Sequence, residues 1–555
     1  MRKLTLTLLA AVMMTVANAQ ETAYKILQER DTTVSATVRG LTLGTRDTHF
    51  IVYEYPSKDA DGRPVTISGT VLIPSDVADG TVPCDGIILY NRYTVDDDSE
   101  IPSRGGLALQ VPSLILSSPL KPNYIVVASD YIGYGSSYEG HNMAYFCGDT
   151  NARTSLDGLV AARQLLKDKN LPLGKYQFNI GNSQGATVAM YVAKLRDMEY
   201  KDKGITFDKT FTGGGILDCE VAYSEFVKKD AFPEWRDVAM FLVSVNENYK
   251  LGIKYDELFK EPVASLMPEF VRTKDKAVLA PEKVGRFDSL HQVLQPAYMD
   301  VNSPQAKVLS DKLAQIKIAN GWEPDVTQNY YITHCRHDNY VPVQCSRELL
   351  KWMKDKGFKP SIVPGKTSLQ TNMMIVKLTH TQSAYIWAIQ TLAAIQYWPV
   401  LYYEGEQNRY YHDAVKDLNL MKTIKLLESI GIDVRALASG INGGGTGGTG
   451  GSTSIFEILN KVSDALKLVG LTITDVVQML EDSGITLQDL MEVINYVNST
   501  PTPTAPSAAA ASVDTDAAMS DEAKAAVFLM KQYELTLANW FMMAGYDVNY
   551  NEWGW

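Results

Sequence analysis

The sequence predicts an α/β fold: a mostly parallel sheet with helices on both faces, interrupted by a helical insertion and followed by a small all-helical module. Three observations carry that expectation. Continuously apolar runs at 86–91 and 124–130 read as strands buried on both faces. They alternate with a helical pattern at 155–167, where Leu156, Leu159, Val160 and Leu165 share one side. A third strand, 176–180, runs through Gly181-Asn182-Ser183-Gln184-Gly185 into a helical stretch from Ala186 to Ala193. Strand, sharp turn and helix in that order lift a serine hydroxyl above the rim of such a sheet.

From the start of the chain, residues 1–19 read as a secretory signal. Arg2 and Lys3 precede an apolar run, Leu4 to Val16, that is too short to span a bilayer, and Ala17-Asn18-Ala19 stands before a cleavage point. The expected location is secreted or periplasmic, with no transmembrane segment. The composition is globular, 45% hydrophobic and 21% charged. A net charge of −12 and a pI near 5.2 argue against nucleic acid and anionic membrane surfaces as partners. Export permits disulfides. Among Cys84, Cys147, Cys219, Cys335 and Cys345, the expected pair is Cys335 with Cys345, and the odd count leaves a thiol over.

From Val34 to Pro74 the pattern is antiparallel, with β-branched and aromatic runs at 50–55 and 65–74 around the turn residues Asp59-Ala60-Asp61-Gly62-Arg63-Pro64. After the core strands and the elbow, 210–215 ends another strand. Residues 216–328 break the rhythm. They are helix-rich and carry aromatics such as Phe226, Phe232, Trp235 and Phe241, so they read as a helical cap over the strand ends. The sheet resumes at 329–333 and leads into His334-Cys335-Arg336-His337-Asp338-Asn339-Tyr340-Val341-Pro342. A helix from Cys345 to Lys356, a last short strand at 361–364, and a helix at 383–397 opened by His380 complete the pattern.

Ser183, Asp338 and His380 thus each follow a predicted strand, in the order nucleophile, acid, histidine. Serine needs a base to attack at neutral pH, and His380 is the candidate. Asp338 would hold its tautomer and stabilise its charged form. The oxyanion of an acyl-transfer intermediate needs two donors: the main-chain N–H of Gln184, and one from the turn after 86–91, around Tyr93 or Thr94, with Thr94 preferred. A bare Gly-x-Ser-x-Gly is common by chance, so the context carries the motif. His334 and His337 precede the acid and read as shaping its loop; their spacing could suggest a metal, but no third ligand with sensible spacing appears, and no metal is expected. Asp325 precedes its strand and is the weaker candidate acid. The run Asp96-Asp97-Asp98-Ser99-Glu100 reads as a solvated loop before it reads as a calcium site. Phosphate and dinucleotide loops are absent.

Across roughly Val65 to Tyr397 these features resemble the α/β-hydrolase superfamily, and within it the secretory lipase family. That family's Asp-Tyr-x-Gly-x-Gly turn is matched by Asp130-Tyr131-Ile132-Gly133-Tyr134-Gly135, followed by His141, Tyr145 and Thr154-Ser155-Leu156-Asp157. The elbow, the acid loop before Val341-Pro342 and the late histidine fit as well. The resemblance implies a hydrolase domain over 20–438 and a cofactor-free serine carboxylic-ester hydrolase acting through an acyl-enzyme. Two positions depart from it. Arg92-Tyr93 stands where such families have His-Gly, and Cys335 stands where glycine is common.

Residues 439–454 are a Gly/Thr-rich linker. Over 455–500 a motif recurs, Gly470-Leu471-Thr472-Ile473-Thr474-Asp475 and Gly484-Ile485-Thr486-Leu487-Gln488-Asp489, which reads as short capped helices. Residues 501–518 form a Pro/Ala-rich linker, and 519–555 a helix with an aromatic tail. The expected partner is a small-molecule, lipid or carbohydrate ester, and the sequence is silent on oligomeric state. The alternatives are a peptidase built on the same three residues and a scaffold or binding protein that carries them without turnover.

Overall fold

A computed structural model of the chain describes residues 23–38, 41–118, 121–358, 360–361, 369–374 and 378–396. The signal, both linkers, the helical module and the aromatic tail lie outside the described residues.

The sheet is ten-stranded, in the order β1-β2-β3-β5-β4-β6-β7-β8-β10-β9. β1 (Lys25–Val38), β2 (Leu41–Lys58) and β3 (Pro64–Pro74) are antiparallel, and β3 pairs antiparallel with β5 (Tyr124–Ser129). β4 (Gly86–Asn91), β6 (Tyr176–Asn182), β7 (Lys209–Gly213), β8 (Tyr330–Cys335), β10 (Leu369–Met374) and β9 (Pro360–Ser361) continue it in parallel. Every residue of β4, β5, β7 and β8 is buried, as strands covered on both faces are. Two strands differ from expectation. β1 begins well before Val34, at Lys25; residues 28–33 are all polar and mostly exposed on the sheet edge, so they carry no apolar strand pattern. The strand beside β8 is Leu369–Met374, and of the expected strand 361–364 only Ser361 is described, on the edge.

Helices cover both faces. In chain order they include α1 (Gln110–Ser117), α2 (Thr150–Asp168), α3 (Gln184–Met198), α4 (Cys219–Phe226), α5 (Trp235–Asn248), α6 (Val263–Thr273), α7 (Lys307–Ile316), α8 (Gln344–Asp355) and α9 (His380–Gln396). Helices α4 to α7 and several 3-10 turns fill 214–328, between the adjacent strands β7 and β8. Helix α9 is fixed by Trp387, which is fully buried against β7. A Cβ on Gly213 would lie 2.5 Å from the indole, so the close approach requires glycine there. Truncating a buried tryptophan costs about 3–5 kcal/mol, an anchor strong enough to hold His380 at the start of the same helix.

The expected disulfide is corrected. All five cysteines are free thiols. Cys335 ends β8 with its thiol donating to the Leu378 carbonyl at 3.3 Å, while Cys345 is buried on α8. Nearness in sequence did not translate into facing side chains. The acidic run is spent internally: Asp96 pairs with Lys276, Asp97 caps a 3-10 turn through the Ser99 N–H, and Asp98 pairs with Arg104 and accepts from the Gly135 N–H.

Candidate active site

The site begins at the end of β6. Ser183 sits at φ 55°, ψ −123°, a conformation that a side-chain-bearing residue adopts at a cost of about 1–3 kcal/mol. The surroundings enforce it. The Ser183 N–H donates to the Gly213 carbonyl at 2.8 Å, and Asn182 Nδ2 donates to the same oxygen at 2.9 Å. A Cβ on Gly181 would lie 2.0 Å from the Gly185 carbonyl oxygen, and one on Gly185 would lie 2.1 Å from that of Asn91. The elbow therefore has no room for larger residues on either side of the serine.

Asp338 follows β8 in a tight loop. Its Oδ1 accepts from the main-chain N–H groups of Tyr340 and Val341 at 2.9 and 2.8 Å. Its Oδ2 accepts from Nδ1 of His380 at 2.7 Å. Nε2 of His380 faces the Ser183 hydroxyl at 2.9 Å, so with the proton on Nδ1 the hydroxyl donates to Nε2. The structure thus brings Ser183, His380 and Asp338 into one hydrogen-bonded chain. Gly214, at φ 58°, lies beneath it: a Cβ there would be 3.3 Å from His380 Cε1 and 3.5 Å from Asp338 Oδ2.

Electrostatics follow from burial and charge. Burial alone would lower the His380 pKa, but the Asp338 carboxylate outweighs it, with Asp237 and Glu234 adding to the effect, and the imidazole lies above its ordinary value. Burial would raise Asp338, but the facing His380, then His334 and the Val341 N–H, hold it below the usual carboxylate range. His334 is pulled down by burial. Its Nε2 donates to the Val341 carbonyl at 3.0 Å, which places a proton on that nitrogen, and its Nδ1 meets Ser346 Oγ at 2.7 Å. That Nε2 lies 3.6 Å from Asp338 Oδ2. His334 therefore shapes the acid loop, and no cluster of metal-ligating side chains occurs among the described residues.

Gln184 opens α3 and is buried, and Thr94 lies just past β4 on the wall of the same cavity as Ser183. Among the described residues, neither main-chain N–H has a hydrogen-bond partner. Arg92 does not enter the cavity, whereas Tyr93 does, its hydroxyl donating to the Leu107 carbonyl at 2.6 Å. Sequence reasoning missed two contacts on the histidine. Asn339 Oδ1 accepts from the His380 N–H at 2.9 Å, and the Tyr340 ring stacks on the imidazole with centroids 5.3 Å apart. Both residues adjoin Asp338 in sequence, which was the available signal.

Ser183 and His380 open into a cavity of about 370 Å³. One wall is Leu107, Val111 and Leu114 with Ala384 and Ala388; the other is Ile216, Phe226, Phe232 and Phe241 from the 214–328 insertion. Its charged members are Asp237 and Lys276, paired at 2.6 Å. The arrangement supplies a nucleophile with a base, an acid partner for the base, free N–H groups nearby, and an apolar chamber for the substrate.

No family model matches the sequence, and no curated relative matches it. Its fold has solved counterparts. A candidate hydrolase of Legionella pneumophila matches with a TM-score of 0.55 at 16% identity, over 69% of this chain and 98% of that one. The rice cell wall degrading esterase LipA of Xanthomonas oryzae matches with a TM-score of 0.52 at 18% identity, over 68% and 97%. At these identities the likeness is one of architecture, and the chain has the α/β-hydrolase fold.

Proposed function

We propose that the protein is a serine carboxylic-ester hydrolase that works through an acyl-enzyme. The observation that carries the reading is the unbroken chain from the Ser183 hydroxyl through His380 to Asp338, opening on an apolar cavity. His380 takes the serine proton as Ser183 attacks the ester carbonyl. The oxyanion is received by the main-chain N–H groups of Gln184 and Thr94. His380 then protonates the departing alcohol, and water reverses the sequence to release the acid. Asp338, ionised at neutral pH, stabilises the imidazolium in both halves.

The cavity speaks to the acyl part. Its walls are largely apolar side chains, which suits an apolar acyl group. Export belongs to the proposal on the strength of residues 1–19, and a mature N-terminus at Gln20 would bear it out. The test of the reading is labelling with a fluorophosphonate, together with turnover of p-nitrophenyl esters from acetyl to palmitoyl and of aminoacyl-peptide substrates. Expected are labelling at Ser183, abolished in S183A, and turnover of the esters in preference to the peptides. An unlabelled wild type, or faster cleavage of peptides than of esters, would overturn it.

A further inference from the structure

The Asp130–Gly135 turn and the Arg92-Tyr93 departure are both left unexplained by the catalytic chain, and they meet in one place. The Arg92 side chain is 1% exposed and lies behind the loop that carries Thr94. Its Nε and Nη2 donate to the Asp130 carbonyl at 3.1 and 3.0 Å. Its Nη1 donates to the Tyr93 carbonyl at 3.0 Å and stands 3.5 Å from Gln184 Oε1. The guanidinium lies over the faces of Tyr131 and Tyr134, 4.5 and 4.7 Å from their centroids, and the Tyr131 hydroxyl donates back to the Arg92 carbonyl at 3.2 Å. Tyr131 at φ 69° and Gly133 at φ 84° turn the chain so that both rings and the Asp130 carbonyl face the same cation.

A buried guanidinium without an ion pair is costly. Arg92 makes no ion pair with a described carboxylate. The carboxylate of Asp130, whose main-chain carbonyl the guanidinium holds, is engaged by Ser68 Oγ and the Ser103 N–H instead, at 2.6 and 2.9 Å. The cation is held by carbonyl oxygens and aromatic faces alone, so its charge is left only partly compensated. What it holds is the Tyr93 carbonyl, immediately before Thr94, and the flank of Gln184. The Arg92 main chain also packs on the elbow: its carbonyl oxygen would be 2.9 Å from a Cβ on Gly185.

We infer that Arg92 is a positioning residue for the oxyanion site, holding the N–H groups of Thr94 and Gln184 in place and setting a positive charge behind the oxygen on which negative charge develops. The inference rests on the esterase reading. It assigns the Asp130–Gly135 turn a task, as the seat of that cation. It also explains how a bulky pair replaces His-Gly without filling the site: Arg92 turns behind the loop while Tyr93 lines the cavity.

The test is the kinetics of R92M and R92K on p-nitrophenyl butyrate, with affinity for butylboronic acid, which becomes a tetrahedral anion on the serine. R92M is expected to lose about a hundredfold in kcat with KM within about threefold, because the deficit falls on the charged intermediate. Boronate affinity should fall in step with kcat. R92K, which keeps the charge and loses the fork, should lose about tenfold. A folded R92M with kcat within about threefold of wild type, or a loss confined to KM, overturns the inference. If R92M does not fold, R92K decides: unchanged kcat overturns, a tenfold loss at constant KM supports. A wild type that neither turns over esters nor labels at Ser183 would instead remove the esterase reading.

Discussion

Replacing Asp338 by asparagine isolates what the acid does. The two N–H groups of Tyr340 and Val341 already point at Oδ1, so an amide in this loop keeps its oxygen there. Its NH2 group is then forced into the position of Oδ2, 2.7 Å from His380 Nδ1. An NH2 donates only, so Nδ1 must become an acceptor and the ring proton must move to Nε2, facing Ser183. The base is then in the wrong tautomer for attack. Loss of this arrangement costs roughly ten-thousandfold in kcat, or about 5 kcal/mol of transition-state stabilisation. The charge has a second effect. Asp338 lifts the His380 pKa against burial, so without it burial prevails and the acid limb of kcat/KM moves to lower pH. Initial rates on p-nitrophenyl butyrate from pH 5 to 9 give both numbers. A D338N enzyme within about tenfold of wild type, or an acid limb shifted upward, would refute the reasoning.

In G185A the new methyl meets main-chain oxygen and no yielding side chain, with the Asn91 carbonyl 2.1 Å away. Overpacking of this kind should cost about 1–3 kcal/mol in thermal or denaturant unfolding, with a rate loss larger than stability explains, because strand β4 and its loop must move off the elbow. In H334A the Val341 carbonyl and Ser346 hydroxyl lose their partner, and the acid loop is expected to shift enough to lower kcat about ten- to a hundredfold; Ser183 labelling rates would follow.

The fold was legible wherever sequence pattern is local. Gly181 to Ala186 reads as an elbow because small residues are needed at a strand–helix crossing, and the coordinates show which carbonyls make them so. The apolar runs of β4 and β5 mark strands buried on both faces. β10 was not legible, because Leu369–Met374 mixes polar and apolar residues without a repeating face. Helix α1 was not anticipated either, being short and carrying Pro112. At the site, Asp338 and His380 could be chosen because each follows a strand in chain order. Arg92 and Asn339 could not be assigned roles, because direction decides them: whether Arg92 turns into the cavity or behind its wall is a matter of rotamer and packing. The same ignorance of direction produced the mistaken Cys335–Cys345 pair.

The 214–328 insertion also reaches the chemistry through charge. Asp237 and Glu234 both raise the His380 pKa, and Asp237 is paired with Lys276, whose other partner is Asp96. D237N removes a negative charge and leaves Lys276 less compensated, and both changes favour neutral imidazole. The acid limb of kcat/KM should therefore move to lower pH. K276M strips Asp237 of its cation, so more of that carboxylate's field reaches His380 and the limb should move to higher pH. Because both residues line the cavity, the height of each profile will change with substrate fit; the position of the limb, which reports the free enzyme, is the discriminating quantity. Shifts of the same sign in the two variants would mean that packing of the insertion, and not its charge, sets the base.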